Sequence, residues 1–172
     1  DLEPIFKEEM EENEDAFPEW YNYEESIISS VERYEKNLLV MAVNNESYTG
    51  GPHGLYGTYY SNIDLHTLHI IGLEDIFKTG YEEALGDLIW QQLKEDYNVQ
   101  DDEEMAELGF TYRGDEEYQL TTNFAIRNEG IEFIYNIYEI APYSLGLVSV
   151  LLSYDQLAQL LNKANLSKIV DY

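Results

Sequence analysis

The sequence predicts an α+β fold, a mainly antiparallel β-sheet with helices packed on one face. Three observations carry that expectation. Several stretches alternate apolar and polar side chains with the period of two that a strand imposes. Most of these are joined by connections of hairpin length, which suit antiparallel neighbours. Two further stretches, over 80–97 and from Ser153 onward, place apolar residues at helical spacing instead.

Taken in order, residues 1–17 read as an acidic amphipathic helix. Leu2, Ile5, Phe6 and Met10 share one face, acids fill the other, and Pro18 ends it. Strands are expected over 19–34 and 37–48, with Glu35-Lys36-Asn37 as the turn between them. In the second, both alternating sets (Leu38, Val40, Ala42 and Leu39, Met41, Val43) are apolar, which predicts cover on both faces. The Gly-rich segment 50–54 precedes a strand from Leu55 to Asp64. A short apolar stretch over 67–71 and a helical turn at Leu73–Phe77 follow.

Residues 80–97 give the clearest helix. Thr79 and Glu82 have capping-box spacing, and Tyr81, Ala84, Leu85, Leu88, Ile89 and Leu93 form its stripe. The stretch 98–118 is acidic and irregular, with a helical turn near Met105–Leu108 that Gly109 ends. Strands are expected over 119–126 and 131–140. Asn128-Glu129-Gly130 forms their turn, with Gly130 at positive φ. A bend over 141–146, a strand over 147–152 and a helix holding Leu157, Leu160 and Leu161 complete the pattern. Ser153 and Gln156 cap that helix, and the tail 165–172 reads as an edge segment. No repeat or linker divides the 172 residues, so 1–172 is read as a single domain. Helix 1–17 also suits the end of an upstream subdomain.

Thirty-five acids against nine bases give a net charge of -26. A nucleic acid or an anionic lipid surface needs a basic face, so both are excluded as partners. A basic protein or divalent cations would be attracted, although an acid-rich surface also serves solubility alone. With no cysteine, the chain has neither disulfides nor thiolate chemistry. No apolar run reaches the ~20 residues that span a bilayer, and no signal peptide opens the chain. Its abrupt start at Asp1 reads as a trimmed piece whose leader, lipid anchor or upstream domain is missing. Sixteen tyrosines stand against six Phe and two Trp, which favours half-exposed sheet faces and binding surfaces.

Tyr48-Thr49-Gly50-Gly51-Pro52-His53-Gly54, then Asn62-Ile63-Asp64 and Leu73-Glu74-Asp75-Ile76-Phe77, resemble the first signature of the RsiV-type extracytoplasmic domain. Gly130–Tyr135 followed by Tyr138–Gly146 resemble its second. The resemblance spans about residues 19–162, with Pro52 standing where the family has alanine. It implies a sensing or binding domain of the bacterial cell envelope, in the periplasm or at the surface, lipid-anchored in its full-length form. In the anti-sigma factor RsiV a related domain binds lysozyme. Similar domains also occur beside peptidoglycan deacetylases and in lipoproteins. No sigma-binding segment is present, so an anti-sigma role does not follow.

His53 in its Gly-rich loop has the chemistry of a general base, yet no phosphate-binding fingerprint surrounds it, and a structural turn is the plainer reading. His66 and His69 lack the helical context of a zinc pair with His53 and Asp64. Asp101–Glu104 and Asp115–Glu117 lack EF-hand spacing. Ser144 has no Gly-x-Ser-x-Gly elbow. Pro142-Tyr143 in a bend presents a stiff ring suited to sugar stacking or a protein contact. The expected ligand-binding residues are therefore His53, Pro142, Tyr143 and Ser144, with no catalytic residue, metal or cofactor. The expected function is non-catalytic recognition of lysozyme, another basic protein, or a wall glycan. The alternative is a hydrolase or a deacetylase-associated domain acting on wall polymers through His53.

Overall fold

The computed structural model describes residues 23–111 and 120–170. The expected helix 1–17 and the acids Asp115–Glu117 lie outside them. Two antiparallel sheets result. The first has the order β1 (Glu24–Glu35), β2 (Leu38–Tyr48), β3 (Leu55–Asp64), β4 (His69–Ile70). The second has the order β5 (Phe124–Ile126), β6 (Gly130–Tyr135), β7 (Val148–Ser153). Among the described residues the helices are α1 (Leu73–Ile76), α2 (Glu82–Asp96), α3 (Asp102–Glu107), α4 (Tyr154–Leu157) and α5 (Lys163–Ile169). The α+β class is as expected, with the strands divided between two sheets rather than gathered in one.

Period-two alternation decides the first sheet. Leu38, Val40 and Ala42 point inward and are buried, Leu38 and Val40 in one cluster with Ile89, Phe133 and Leu161. Leu39, Met41 and Val43 on the other face are only half-buried, so the expected cover on both faces is incomplete. Ile27, Val31 and Tyr34 of β1 are exposed. Lys36-Asn37 makes a two-residue turn, Lys36 taking the left-handed φ of 45°.

Three asparagines join the sheets. Asn62, at the buried end of β3, donates through Nδ2 to the Phe124 carbonyl (2.8 Å). Its Oδ1 accepts from the Ile126 N–H (2.9 Å). Asn123 accepts from the Tyr60 N–H (2.9 Å) and donates to the Thr58 carbonyl (2.7 Å). Asn136 accepts from the Thr58 N–H (2.8 Å). Side-chain amides thus satisfy the β3 edge where a strand would otherwise lie. This explains why the strands expected over 119–126 and 131–140 shorten to Phe124–Ile126 and Gly130–Tyr135. Asn123 and Asn136 flank those shortened strands and pair sideways with β3.

Other elements depart for local reasons. α2 begins two residues later than a Thr79–Glu82 box requires, with Tyr81 at its N-cap and no side-chain cap. Its buried stripe takes Gly86 and Trp90 in place of Ala84, which is exposed. Ser153 and Gln156 do form their capping box. The helix they open stops at Leu157, because the chain turns to pair with residues after α1. Lys78 N–H donates to Leu160 (2.8 Å) and Asn162 N–H to Ile76 (2.8 Å), with Phe77 opposite Leu161. The expected edge segment over 165–172 is instead largely α5, capped by Asn162. Gly130 does not have positive φ. It is required by close approach, since a Cβ there would stand 2.0 Å from the Leu152 carbonyl oxygen.

Candidate functional site

The β2–β3 loop and the turn after β6 meet at one end of the molecule. Gly50 and Gly51 take φ of 90° and 96°, a left-handed path that lets the loop reverse. The Tyr48 hydroxyl secures it by donating to the Gly51 carbonyl (3.0 Å). On the other side, Asn136 N–H donates to Glu139 Oε2 (2.7 Å) and closes a turn. That turn holds Tyr138 at φ 69°. A tyrosine there is strained by about 1–2 kcal/mol, so the surroundings must fix it. Pro142 then starts a 3-10 turn over Tyr143–Leu145, and its ring abuts Gly109.

These loops assemble a cluster of four rings. His53 stacks on Tyr143 with centroids 3.9 Å apart and planes at 22°. Tyr56 from β3 meets Tyr143 edge-on at 5.8 Å. Tyr138, 57% exposed, tilts against Tyr143 at 5.7 Å. The Tyr138 hydroxyl lies 3.3 Å from His53 Nε2, and His53 Nδ1 lies 3.1 Å from the Gly54 carbonyl. A carbonyl only accepts, so Nδ1 carries the proton in neutral His53 and Nε2 accepts from Tyr138.

Two adjoining grooves flank this cluster and share Ser47, Leu55 and Tyr56. The larger encloses about 710 Å³, within the usual range for ligand clefts. Glu24, Glu25 and Glu46 line it together with Tyr23, Tyr48, Tyr56 and Tyr143. Register explains the mixture: Ser26, Glu46 and Tyr56 are successive cross-strand partners on one face of β1, β2 and β3. The smaller groove, about 290 Å³, includes Gly57, Asn136, Tyr138 and Glu139.

His53 and Tyr143, 90 positions apart in sequence, are therefore in direct contact. Pro142 packs against Gly109 and lines neither groove. Ser144 is exposed on the same turn and also lines neither. Tyr56, Tyr138 and the three glutamates were missed as individuals by sequence reasoning. The excess of tyrosine was the one signal pointing toward the rings. His66 and His69 stay apart from the cluster: His69 pairs with Asp75 at 3.3 Å, and His66 N–H caps Asp64. Among the described residues no three His, Asp or Glu side chains converge as a metal set. Asp101 is accounted for as the N-cap of α3, accepting from the N–H groups of Glu103 and Glu104.

This frame has known relatives. Residues 74–155 match the family DUF3298. That family is described as a protein of unknown function. The DUF3298 match includes Tyr138 and Pro142–Ser144 and stops short of His53 and Tyr56. A crystal structure of a DUF3298 member from Bacteroides fragilis shares 40% identity, with a TM-score of 0.84. The likeness covers 94% of this chain and 62% of that one. A DUF3298 protein from Pseudomonas aeruginosa has the same fold at 20% identity, with a TM-score of 0.69 over 92% of this chain and 69% of its own. Peptidoglycan-N-acetylmuramic acid deacetylase PdaC from Bacillus subtilis is 24% identical over 137 residues, 78% of this chain. The present chain spans only 28% of that deacetylase. Among the described residues no helix is long and apolar enough to cross a membrane.

Proposed function

We propose that this is a non-catalytic binding module of the bacterial cell envelope, working outside the cytoplasm and holding a wall glycan against its ring cluster. One observation carries the reading. Two loops far apart in sequence converge to stack His53 on Tyr143, with Tyr56 and Tyr138 beside them, at the mouth of a groove. Exposed aromatic faces with polar edges suit the apolar faces and hydroxyls of sugar rings. The likeness to a peptidoglycan deacetylase supports a wall setting for the module. A lipid anchor in the full-length protein fits the same setting.

Catalysis through His53 is the weaker reading on geometry. Its Nδ1 proton faces Gly54 and its Nε2 lone pair faces Tyr138, so neither nitrogen is poised for a substrate proton. A basic protein such as lysozyme is the second reading, favoured by the net charge of -26. Sedimentation with purified peptidoglycan, alongside titration with lysozyme at low salt, tests both. The glycan reading expects the wild type to bind the wall and Tyr143→Ala to lose most of that binding while melting normally. No wall binding by the wild type, with tight lysozyme binding, would replace it by the second reading.

A further inference from the structure

We infer that residues 1–17 fold back over the outer face of the first sheet and cover it with the stripe Leu2, Ile5, Phe6 and Met10. This cover is independent of which ligand the ring cluster takes. Leu39, Met41 and Val43 alternate with the buried Leu38, Val40 and Ala42, so they share the outer face. Their cross-strand partners extend that face across the sheet in rows. Tyr34, Leu39, Ile63 and Ile70 make one row through all four strands. Val31 and Met41 belong to the next, and Val43 and Tyr59 to the third. Beyond them the rows are diluted: Ile27 stands beside Asn45 and Gly57, and Leu55 beside Ser47 and Glu25. Tyr34 is 74% exposed, Ile70 64%, Val31 60% and Tyr59 54%. A contiguous apolar face left this open marks a contact surface.

The chain that leads into the sheet has the matching pattern. Residues 18–23 join the segment to Glu24, the first residue of β1, and at ~3.4 Å each they give ~20 Å in which to reverse direction. A helix over 1–17 runs about 25 Å, so doubling back along β1 carries its first turns toward the far rows. Leu2 to Met10 spans about 12 Å of such a helix, and the three apolar rows span about 14 Å. The direction agrees as well. The segment concentrates its apolar residues toward its start, and the face concentrates its own at the end farthest from Glu24. A second copy of the chain is the competing occupant. Two chains of charge -26 would then have to meet face to face. A segment on so short a tether is instead present at an effective concentration on the order of millimolar. Tyr23, Glu24 and Glu25 at its junction with β1 also line the larger groove, so a docked segment holds that wall in place.

The test is disulfide trapping in the whole chain, which has no cysteine of its own to interfere. Ile5→Cys combined with Met41→Cys places one thiol on the stripe and one on the outer face. Lys7→Cys with Met41→Cys is the control, because positions two apart on a helix point to different sides. Under mild oxidation the first pair should close within one copy at least about tenfold faster than the control, since a disulfide demands Cα atoms within ~7 Å. Val31→Glu keeps the falsification independent of the segment's own sequence: Val31 is 60% exposed, so the sheet tolerates a charge there. Added to the first pair, it should slow closure by about fivefold, because the docked stripe would have to bury that charge. Equal closure rates for the two pairs would overturn the inference. So would closure that Val31→Glu leaves unchanged, which would show only chance encounters of a tethered segment. A cross-link formed between copies, faster at higher protein concentration, would overturn it in favour of a second copy on the same face.

Discussion

Replacing Asn62 by leucine should unpick the seam between the two sheets. Asn62 is 2% exposed, and its amide is matched on both sides by β5 backbone, at 2.8 Å and 2.9 Å. Leucine has a similar reach but offers neither a donor nor an acceptor. The Phe124 carbonyl and the Ile126 N–H would then be stranded in a strand whose residues are almost wholly buried. Each orphaned group costs about 1–3 kcal/mol, so the pair costs ~2–6 kcal/mol. The greater apolar burial of leucine returns about 1–2 kcal/mol. A net loss of ~3 kcal/mol follows, which for a domain of this size lowers Tm by roughly 6–12 °C. Urea denaturation followed by fluorescence of the buried Trp90 would measure it, with an unchanged slope showing that the fold survives. Hydrogen exchange adds a local readout: the Ile126 amide should exchange faster than in the wild type, while the Leu85 and Ile89 amides within α2 change only with global stability. A midpoint shift worth less than about 0.5 kcal/mol, with Ile126 still protected, would refute the idea that the asparagine amide serves as a missing strand.

Three further outcomes follow from the same structure. Gly130→Ala drives a Cβ to 2.0 Å from the Leu152 oxygen, so β6 and β7 must separate locally. Calorimetry should show a loss of several kcal/mol, on the order of a severe overpacking change. Asp64 is pushed up by partial burial, but hydrogen bonds from the Thr67 hydroxyl and from the His66 and Thr67 N–H groups outweigh that and hold its pKa below the ordinary value. A lowered carboxylate pKa stabilises the fold above about pH 4 and ceases to do so as pH falls through the folded-state value. Thr67→Val should therefore lower Tm slightly at pH 7, and the gap should close when both proteins melt near pH 3. Finally, self-repulsion at -26 predicts that Tm rises between 10 mM and 0.5 M NaCl. A flat salt response would mean that the carboxylates are too dispersed to matter.

The strands with a strict period of two were legible to within a residue, as in Val148–Ser153, because one buried face fixes both register and length. The paired apolar sets of β2 misled, since alternation does not say what covers an apolar face. Gly130 was recognised as special for the wrong reason. Sequence shows that a side chain is absent but not whether a dihedral or a neighbour forbids one. Leu160 and Leu161 fitted a helical stripe and were diverted into pairing with residues 76–78, a long-range choice no local window contains. The site behaved likewise. His53 and Tyr143 were each visible as the odd residue of a bend, whereas their contact depends on how two sheets meet.

The seam and the site are parts of one construction. β3 presents the Thr58 and Tyr60 N–H groups along its free edge, and Asn136 and Asn123 answer them. Gly57 makes the approach possible, since a Cβ there would stand 3.0 Å from Asn136 Oδ1. Once Oδ1 is spent on Thr58, the planar amide has no freedom to turn, and Nδ2 finds no partner among the described residues. The same residue begins the turn that forces Tyr138 to φ 69° and delivers its hydroxyl to His53. The ring cluster is thus held by the joint between the sheets and not by the loops alone. Loops anchored this way lose little freedom when a ligand arrives, so more of the contact energy appears as affinity. A binding end built on a structural seam also explains how recognition and fold can be written in the same few residues, Gly57, Tyr56 and Asn136, without any of them standing out as a motif.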